Sequence, residues 1–200
     1  MPYHHGSLRE DLLAAAAKAV AERGPDGLSL RELARELGVT HTAPRHHFGD
    51  KRGVITALAA QGYRLLAGRL RSSGGDFLEA GVAYVRFALD HPGHFAVMFR
   101  PDLVDEEDHD LAEARLRARQ ALIAGTAAHA RAAGREGAPA AVEPAVPGGA
   151  LPPYALLAWS AAHGIASLAL AGALTALGLG GSKEELTALA RASLQHLGPP

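Results

Sequence analysis

Three histidines, an arginine and two threonines are gathered between Gly38 and Phe48 in the stretch GVTHTAPRHHF. Residues of these types can hold a metal, assist a nucleophile, or present hydrogen-bond donors to an anionic or polar surface. His41 and His46 are five positions apart and His46 and His47 are adjacent. On a helix no two of them therefore share a face as the i, i+4 pair of a zinc motif does. No carboxylate enters the stretch before Asp50 and HExxH is absent, so no metal site is expected. Hydrolysis needs a nucleophile, a base and an orienting acid. Thr40 or Thr42 near a histidine is too common a pairing to mark one. No catalytic residue is assigned, enzymatic activity is not expected, and nothing calls for a cofactor.

A reading surface fits the spacing better. Ala34 is small enough for two helices to cross closely, Gly38 permits a tight turn, and Leu33, Leu37 and Val39 fill the angle. This is the layout of a helix-turn-helix whose residues 40 to 47 project outward. Thr, His and Arg donate to base edges and phosphates, and Ala43 lets a backbone approach a groove or meets a thymine methyl. The start of such a helix is itself favourable to anions. Lys51 and Arg52 open the following helix on the same side, suited to phosphate. The candidate DNA contacts are Ser29, Arg31, Thr40, His41, Thr42, Ala43, Arg45, His46, His47 and Lys51. The bland alternative for the same spacing is a helical corner that binds nothing.

The elements that must position these residues are all helices. Ala and Leu dominate, apolar residues return at three- and four-residue intervals, and alternating β-branched runs are missing. Ser7-Leu-Arg-Glu10 predicts a capping box opening a first helix that Gly24 and Pro25 end, and the same tetrapeptide at Ser29–Glu32 opens a short second helix. A third runs from near Thr40 through His47, irregular because Pro44 removes a hydrogen bond, and Phe48 plugs the core before a fourth begins at Asp50-Lys51. Further starts are expected at Asp76, at Pro92 and after the acidic run 105–110, the last giving a long helix to about Gly134. Residues 136–153, with five prolines and three glycines, read as a flexible loop. Helices of about 154–178 and 183–197 follow, the second capped by Ser182 with Glu185.

With 200 residues, 48% of them hydrophobic, the chain can bury a sizeable core as a soluble protein. It has no cysteine and its start lacks the basic-then-apolar layout of a secretion signal, so a cytoplasmic location is expected. The net charge of −1 hides an asymmetry: residues 1–75 carry net +4 and five histidines, residues 76–200 net −5. An anionic partner belongs to the first segment. Residues 154–180 contain no charge, but their Ala, Gly and Ser content, central His163 and lack of a basic flank argue against a membrane span. A helix apolar all round needs cover on every side, which a second subunit can complete near Gly164, Ala169, Gly172 and Ala173.

From Tyr3 to about Leu58 the chain resembles the DNA-binding domain of the TetR family of transcriptional regulators, carried by LSLRELARELGVTHTAPRHHFGDKRGVITAL. In that family a tyrosine usually stands where this chain has Arg45, and a branched aliphatic often where it has Pro44. The tyrosine contacts phosphate, so the resemblance implies a bidentate arginine contact there, with a steeper salt dependence. His4 and His5 resemble the family's amino-terminal arm. Trp159-Ser-Ala-Ala-His163-Gly164, following HPGHFAVMF at 91–99, resembles the WHG-type regulatory domain found behind such heads.

The resemblance implies an all-α fold with an N-terminal three-helix helix-turn-helix domain at 1–52, then a helical effector-binding and dimerisation domain at 53–200. It implies a ligand-responsive repressor that binds a palindromic DNA operator as a homodimer and is released by a small, largely apolar effector. Phe87, Phe95, Met98, Phe99, Trp159 and His163 are the candidate effector-binding residues. Residue by residue core filling competes with that role, least so at His163, which needs a polar partner inside an apolar helix. The alternative is a helical interaction protein whose corner has lost operator affinity.

Overall fold

The protein is described here from a computed structural model covering residues 5–132 and 151–197. His4 and nearly all of the expected loop at 136–153 lie outside the described residues. The helices are α1 His5–Arg23, α2 Leu30–Glu36, α3 Ala43–Phe48, α4 Lys51–Ser72, α5 Phe77–Asp90, α6 Pro92–Met98, α7 His109–Ala132, α8 Pro153–Leu170, α9 Ala173–Ala176 and α10 Lys183–Leu194. A 3-10 turn, Gln195–Leu197, follows. No strand occurs among the described residues.

Short acids and serines start half of these helices by accepting backbone N–H groups that have no intrahelical partner. Asp50 takes the amide of Gly53, Asp76 that of Glu79 and Asp108 that of Leu111, each at 2.8 Å. At α10 the capping box is complete, Ser182 and Glu185 bonding each other's backbone. Two expected boxes differ. The chain is already helical at His5, so Ser7 sits inside α1 and cannot cap it. Ser29 accepts from Glu32 N at 3.5 Å, but the Glu32 carboxylate turns to Arg23 at 3.3 Å, leaving half a box.

Pro44 costs α3 nothing, contrary to expectation. The helix begins at Ala43, so the proline occupies the first turn, where its missing N–H would have had no acceptor. The apolar segment 154–178 is not one helix. Gly172 adopts the left-handed conformation (φ 71°) and its N–H bonds Ala169 O at 3.0 Å, which closes α8 before the four-residue α9.

Two compact units emerge, and neither is continuous in sequence. The first combines residues 1–63 with 91–114. Its core joins Leu12, Leu13 and Leu33 to Leu58, Val97 and Leu111, all essentially inaccessible. The later segment is tied in by hydrogen bonds as well: Arg52 donates to Val104 O through Nε (2.9 Å) and Nη2, Asp105 N to Thr56 Oγ1 (2.9 Å), and Tyr63 Oη to Met98 O (2.5 Å). A cut after residue 52 therefore differs from the packing, because residues 91–114 fill the same core as α1 to α3. The second unit comprises residues 64–90 and 115–200. There α5 packs against α8 and α10, with Phe87, Ala155, Ala166 and Leu194 inside, and Arg191 grips the Glu79 carboxylate with both terminal nitrogens.

Candidate nucleic-acid interface

The turn between α2 and α3 is built from Gly38, at φ 65°, whose following residue Val39 donates its N–H back to Ala34 O at 2.9 Å. Leu33 and Ala34 are buried and Leu37 and Val39 half-buried against the core, which sets the angle at which α3 leaves. On α3, Pro44 is buried and Ala43, His47 and Phe48 are half-buried. Phe48 also carries the Arg9 guanidinium over its ring at 5.2 Å. What remains outward is Thr42, Arg45 and His46, with Thr40 and His41 exposed in the turn before them. The sequence spacing thus separates into an exposed face and a packing face.

The ten predicted contacts divide accordingly. Thr40, His41, Thr42, Arg45, His46 and Arg31 are exposed, and the Thr40 and Thr42 hydroxyls lie 3.2 Å apart, bonded to each other. Ser29, Ala43, His47 and Lys51 are partly covered. Ser29 is the cap of α2. His47 meets the rings of His46 (5.5 Å) and Phe48 (6.1 Å). Lys51 Nζ donates to Asp26 O at 2.8 Å, so its ammonium fastens the end of the α1–α2 connection. Arg52, expected beside it on phosphate, is instead spent on Val104 O.

Sorting the cations of residues 1–52 by partner isolates three. Lys18 pairs with Glu36, Arg23 with Glu32, and Arg9, Lys51 and Arg52 are engaged as described. Arg31, Arg35 and Arg45 make no hydrogen bond or ion pair among the described residues. Arg35 was not among the sequence candidates. Its signal was there, one turn after Arg31 at i, i+4 on an exposed face.

The predicted effector residues do not fall in one unit. Phe95, Met98 and Phe99 belong to the first, where the rings of Phe95 and Phe99 are 5.3 Å apart and Met98 is fully buried. Phe87, Trp159 and His163 belong to the second, Phe87 wholly inside. The polar partner that His163 requires is Tyr84, a residue the sequence reading missed. The Trp159 indole N–H donates to Tyr84 Oη at 3.0 Å, and Tyr84 Oη lies 2.9 Å from His163 Nδ1. Burial lowers the His163 pKa, favouring the neutral ring. An indole only donates, so Tyr84 Oη is the acceptor from Trp159, while the direction of its bond to His163 Nδ1 follows the imidazole tautomer. Beside this relay lies an apolar cavity of ≈20 Å³ lined by Leu70, Phe77, Tyr84, Leu122, Trp159 and Leu194. It holds about one water, so a larger molecule must push the lining apart.

Residues 12–58 match the family described as bacterial regulatory proteins, tetR family, and residues 77–195 that described as tetracyclin repressor-like, C-terminal domain. The HTH-type transcriptional repressor AcnR of Corynebacterium glutamicum is 38% identical over 53 residues, 26% of this chain and 28% of that protein. AcnR of Corynebacterium efficiens is 33% identical over 66 residues, 33% of this chain and 35% of its own. The chain therefore spans well under half the length of the curated relatives it matches. Among solved structures, a protein of unknown function from Rhodococcus sp. RHA1 is 33% identical with a TM-score of 0.71, covering 100% of both chains. The TetR family transcriptional regulator PfmR from Thermus thermophilus shares the fold at 19% identity and a TM-score of 0.59, over 92% of this chain and 94% of its own.

Proposed function

Since the chain belongs to the tetracyclin-repressor-like family of regulators and is not an enzyme, we propose that it is a repressor that holds a palindromic operator as a homodimer in the cytoplasm and is released by a small, largely apolar effector. The observation that carries the DNA-binding part is the outward face of α3, where Thr42, Arg45 and His46 stand exposed, together with unpartnered Arg31 and Arg35 exposed on α2. Such a face offers donors to bases and positive charge to phosphates. DNA reading is assigned to residues 1–52, inside the unit whose core residues 91–114 complete, and effector binding and dimerisation to residues 53–200.

Homodimerisation is supported by apolar surface that this chain leaves uncovered. Leu156, Leu157 and Leu168 on α8 are each about half exposed, and Ala188 and Ala192 face outward one turn apart on α10. Two reading heads related by a dimer axis require two related half-sites. No helix among the described residues is long and apolar enough to cross a membrane, which fits the same reading. The effector enters beside Trp159 and His163, and for release it must prefer the conformation that does not bind DNA.

A gel shift of the full chain with DNA from upstream of its own gene tests the proposal. Retardation that footprints as two related half-sites supports it, and protection of one asymmetric half-site by a monomer overturns the dimeric reading. The commitment of Lys51 to Asp26 O favours a second reading, a helical interaction protein that has lost operator affinity. Absence of any retardation at low salt selects that reading.

A further inference from the structure

We propose that α3 reads guanine in the major groove and that Arg45 is the residue that specifies it. This rests on the DNA-binding reading above and deepens it from a class of partner to the identity of a base. Thr42, Arg45 and His46 are spaced i, i+3, i+4, so they share the outward face, while Pro44 and Phe48 turn to the core. Each base pair shows a distinct set of donors and acceptors in the major groove, and each set needs a matching side chain.

Adenine is read bidentately by an asparagine or glutamine, which accepts from N6 and donates to N7. The chain has no asparagine, and its three glutamines, Gln61, Gln120 and Gln195, all follow the reading head. Cytosine is read by a carboxylate that accepts from N4. Residues 38–49 contain no Asp or Glu, and each flanking acid already has a partner. Glu32 holds Arg23 at 3.3 Å, Glu36 holds Lys18 at 3.7 Å, and Asp50 caps α4 through the Gly53 amide. The threonine hydroxyls at 40 and 42 are turned to one another.

Guanine remains, whose O6 and N7 are both acceptors and match the fork of an arginine. Arg45 is exposed, has no hydrogen bond or ion pair among the described residues, and lies on the same face as His46, a further donor. Phosphate anchoring of the head does not depend on it, since Arg31 and Arg35 are also unpartnered. Ala43 has only a methyl to offer, which meets a neighbouring thymine or nothing. Each operator half-site accordingly holds a guanine opposite Arg45.

The test uses the full-length protein and a duplex library with a randomised core, selected by retention and sequenced. Guanines enriched in both half-sites are then replaced one at a time by 7-deazaguanine, which keeps Watson–Crick pairing and removes the N7 acceptor. One such replacement weakens the parent protein about 10- to 100-fold. Arg45→Ala binds the guanine and 7-deazaguanine duplexes alike, whereas Arg45→Lys keeps the parent's salt slope because its charge remains and keeps part of the discrimination because an ammonium still donates to the guanine edge without the fork. Thermal unfolding of both variants should match the parent, as the Arg45 side chain makes no hydrogen bond or ion pair among the described residues. Half-sites enriched only in A·T pairs overturn the proposal. So does an Arg45→Ala variant that weakens on every duplex equally while still discriminating guanine from 7-deazaguanine, which is the behaviour of a phosphate contact. If no duplex is retained even at low salt, the DNA-binding reading itself fails and the guanine assignment falls with it.

Discussion

Acid should loosen the first compact unit through one histidine. His94 is 7% exposed on α6, and its Nε2 lies 2.9 Å from Gln61 Oε1, which places the imidazole proton on Nε2 as donor. Burial, with His91 nearby as a second cause, pushes its pKa from the ordinary 6.5 down to about 4. The unfolded chain takes up this proton as pH falls below 6.5, while the native chain refuses it until about 4. Stability is thus fully present above 6.5, is lost as pH falls through the interval, and is flat below 4. At 1.36 kcal/mol per pH unit the gap is worth about 3 kcal/mol, a large share of the 5–15 kcal/mol typical of a domain. Urea unfolding followed by far-UV circular dichroism at pH 7 and pH 4, on the parent and on His94→Gln, isolates the effect. Carboxylates such as Asp90 titrate in both proteins and cancel in the difference. The parent should lose about 3 kcal/mol more than the variant, with hydrogen exchange quickening first in α1 and α6. Parallel pH profiles for the two proteins would refute the reasoning.

Three further outcomes follow from contacts already described. Tyr84→Phe removes the acceptor of the Trp159 indole and the hydroxyl bonded to His163, which should cost about 1–3 kcal/mol and shift the emission of the only tryptophan, read by fluorescence-monitored melting. An unchanged spectrum and midpoint would show that the relay holds nothing in place. Lys51→Ala should lower affinity on all duplexes alike and reduce the slope of log affinity against log salt by about one, provided Lys51 leaves Asp26 O for a phosphate on binding. A slope equal to the parent's makes Lys51 a structural clasp only. Ala192→Glu sets a charge on the exposed face of α10 without touching its buried side, so sedimentation at micromolar concentration should find folded monomer. A native dimer of parental affinity places the interface elsewhere.

Local chemistry was legible from the sequence, and distant chemistry was not. The caps Asp50, Asp76, Asp108 and Ser182 act over three residues and were readable as short acids or serine before a helical run. Arg45, His46 and Thr42 stand outward because the apolar residues around them follow helical spacing, another local pattern. The contacts that escaped notice span long stretches of chain. Lys51 reaches Asp26 across 25 positions, Arg52 reaches Val104 across 52, and Tyr84 joins Trp159 and His163 across 75 and 79. Nothing in the neighbourhood of a lysine says that a carbonyl elsewhere will claim it. Ser7 was misread for a related reason, because a box motif states that a cap is possible and not that the chain upstream has already turned helical.

The first unit's interrupted course, residues 1–63 and then 91–114, bears on how the chain is made and how it can be re-engineered. During synthesis this unit stays incomplete until well after α3 has left the ribosome. Val97, Val104 and Leu111, each fully buried in that core, are translated only after the whole of α5. A graft exchanging residues 1–52 between relatives would leave the host's Val104 carbonyl waiting for an arginine of foreign geometry. Chimeras that carry residues 91–114 along with the head should yield well-folded protein, whereas those joined just after the recognition helix should reach the cell as substrates for proteolysis.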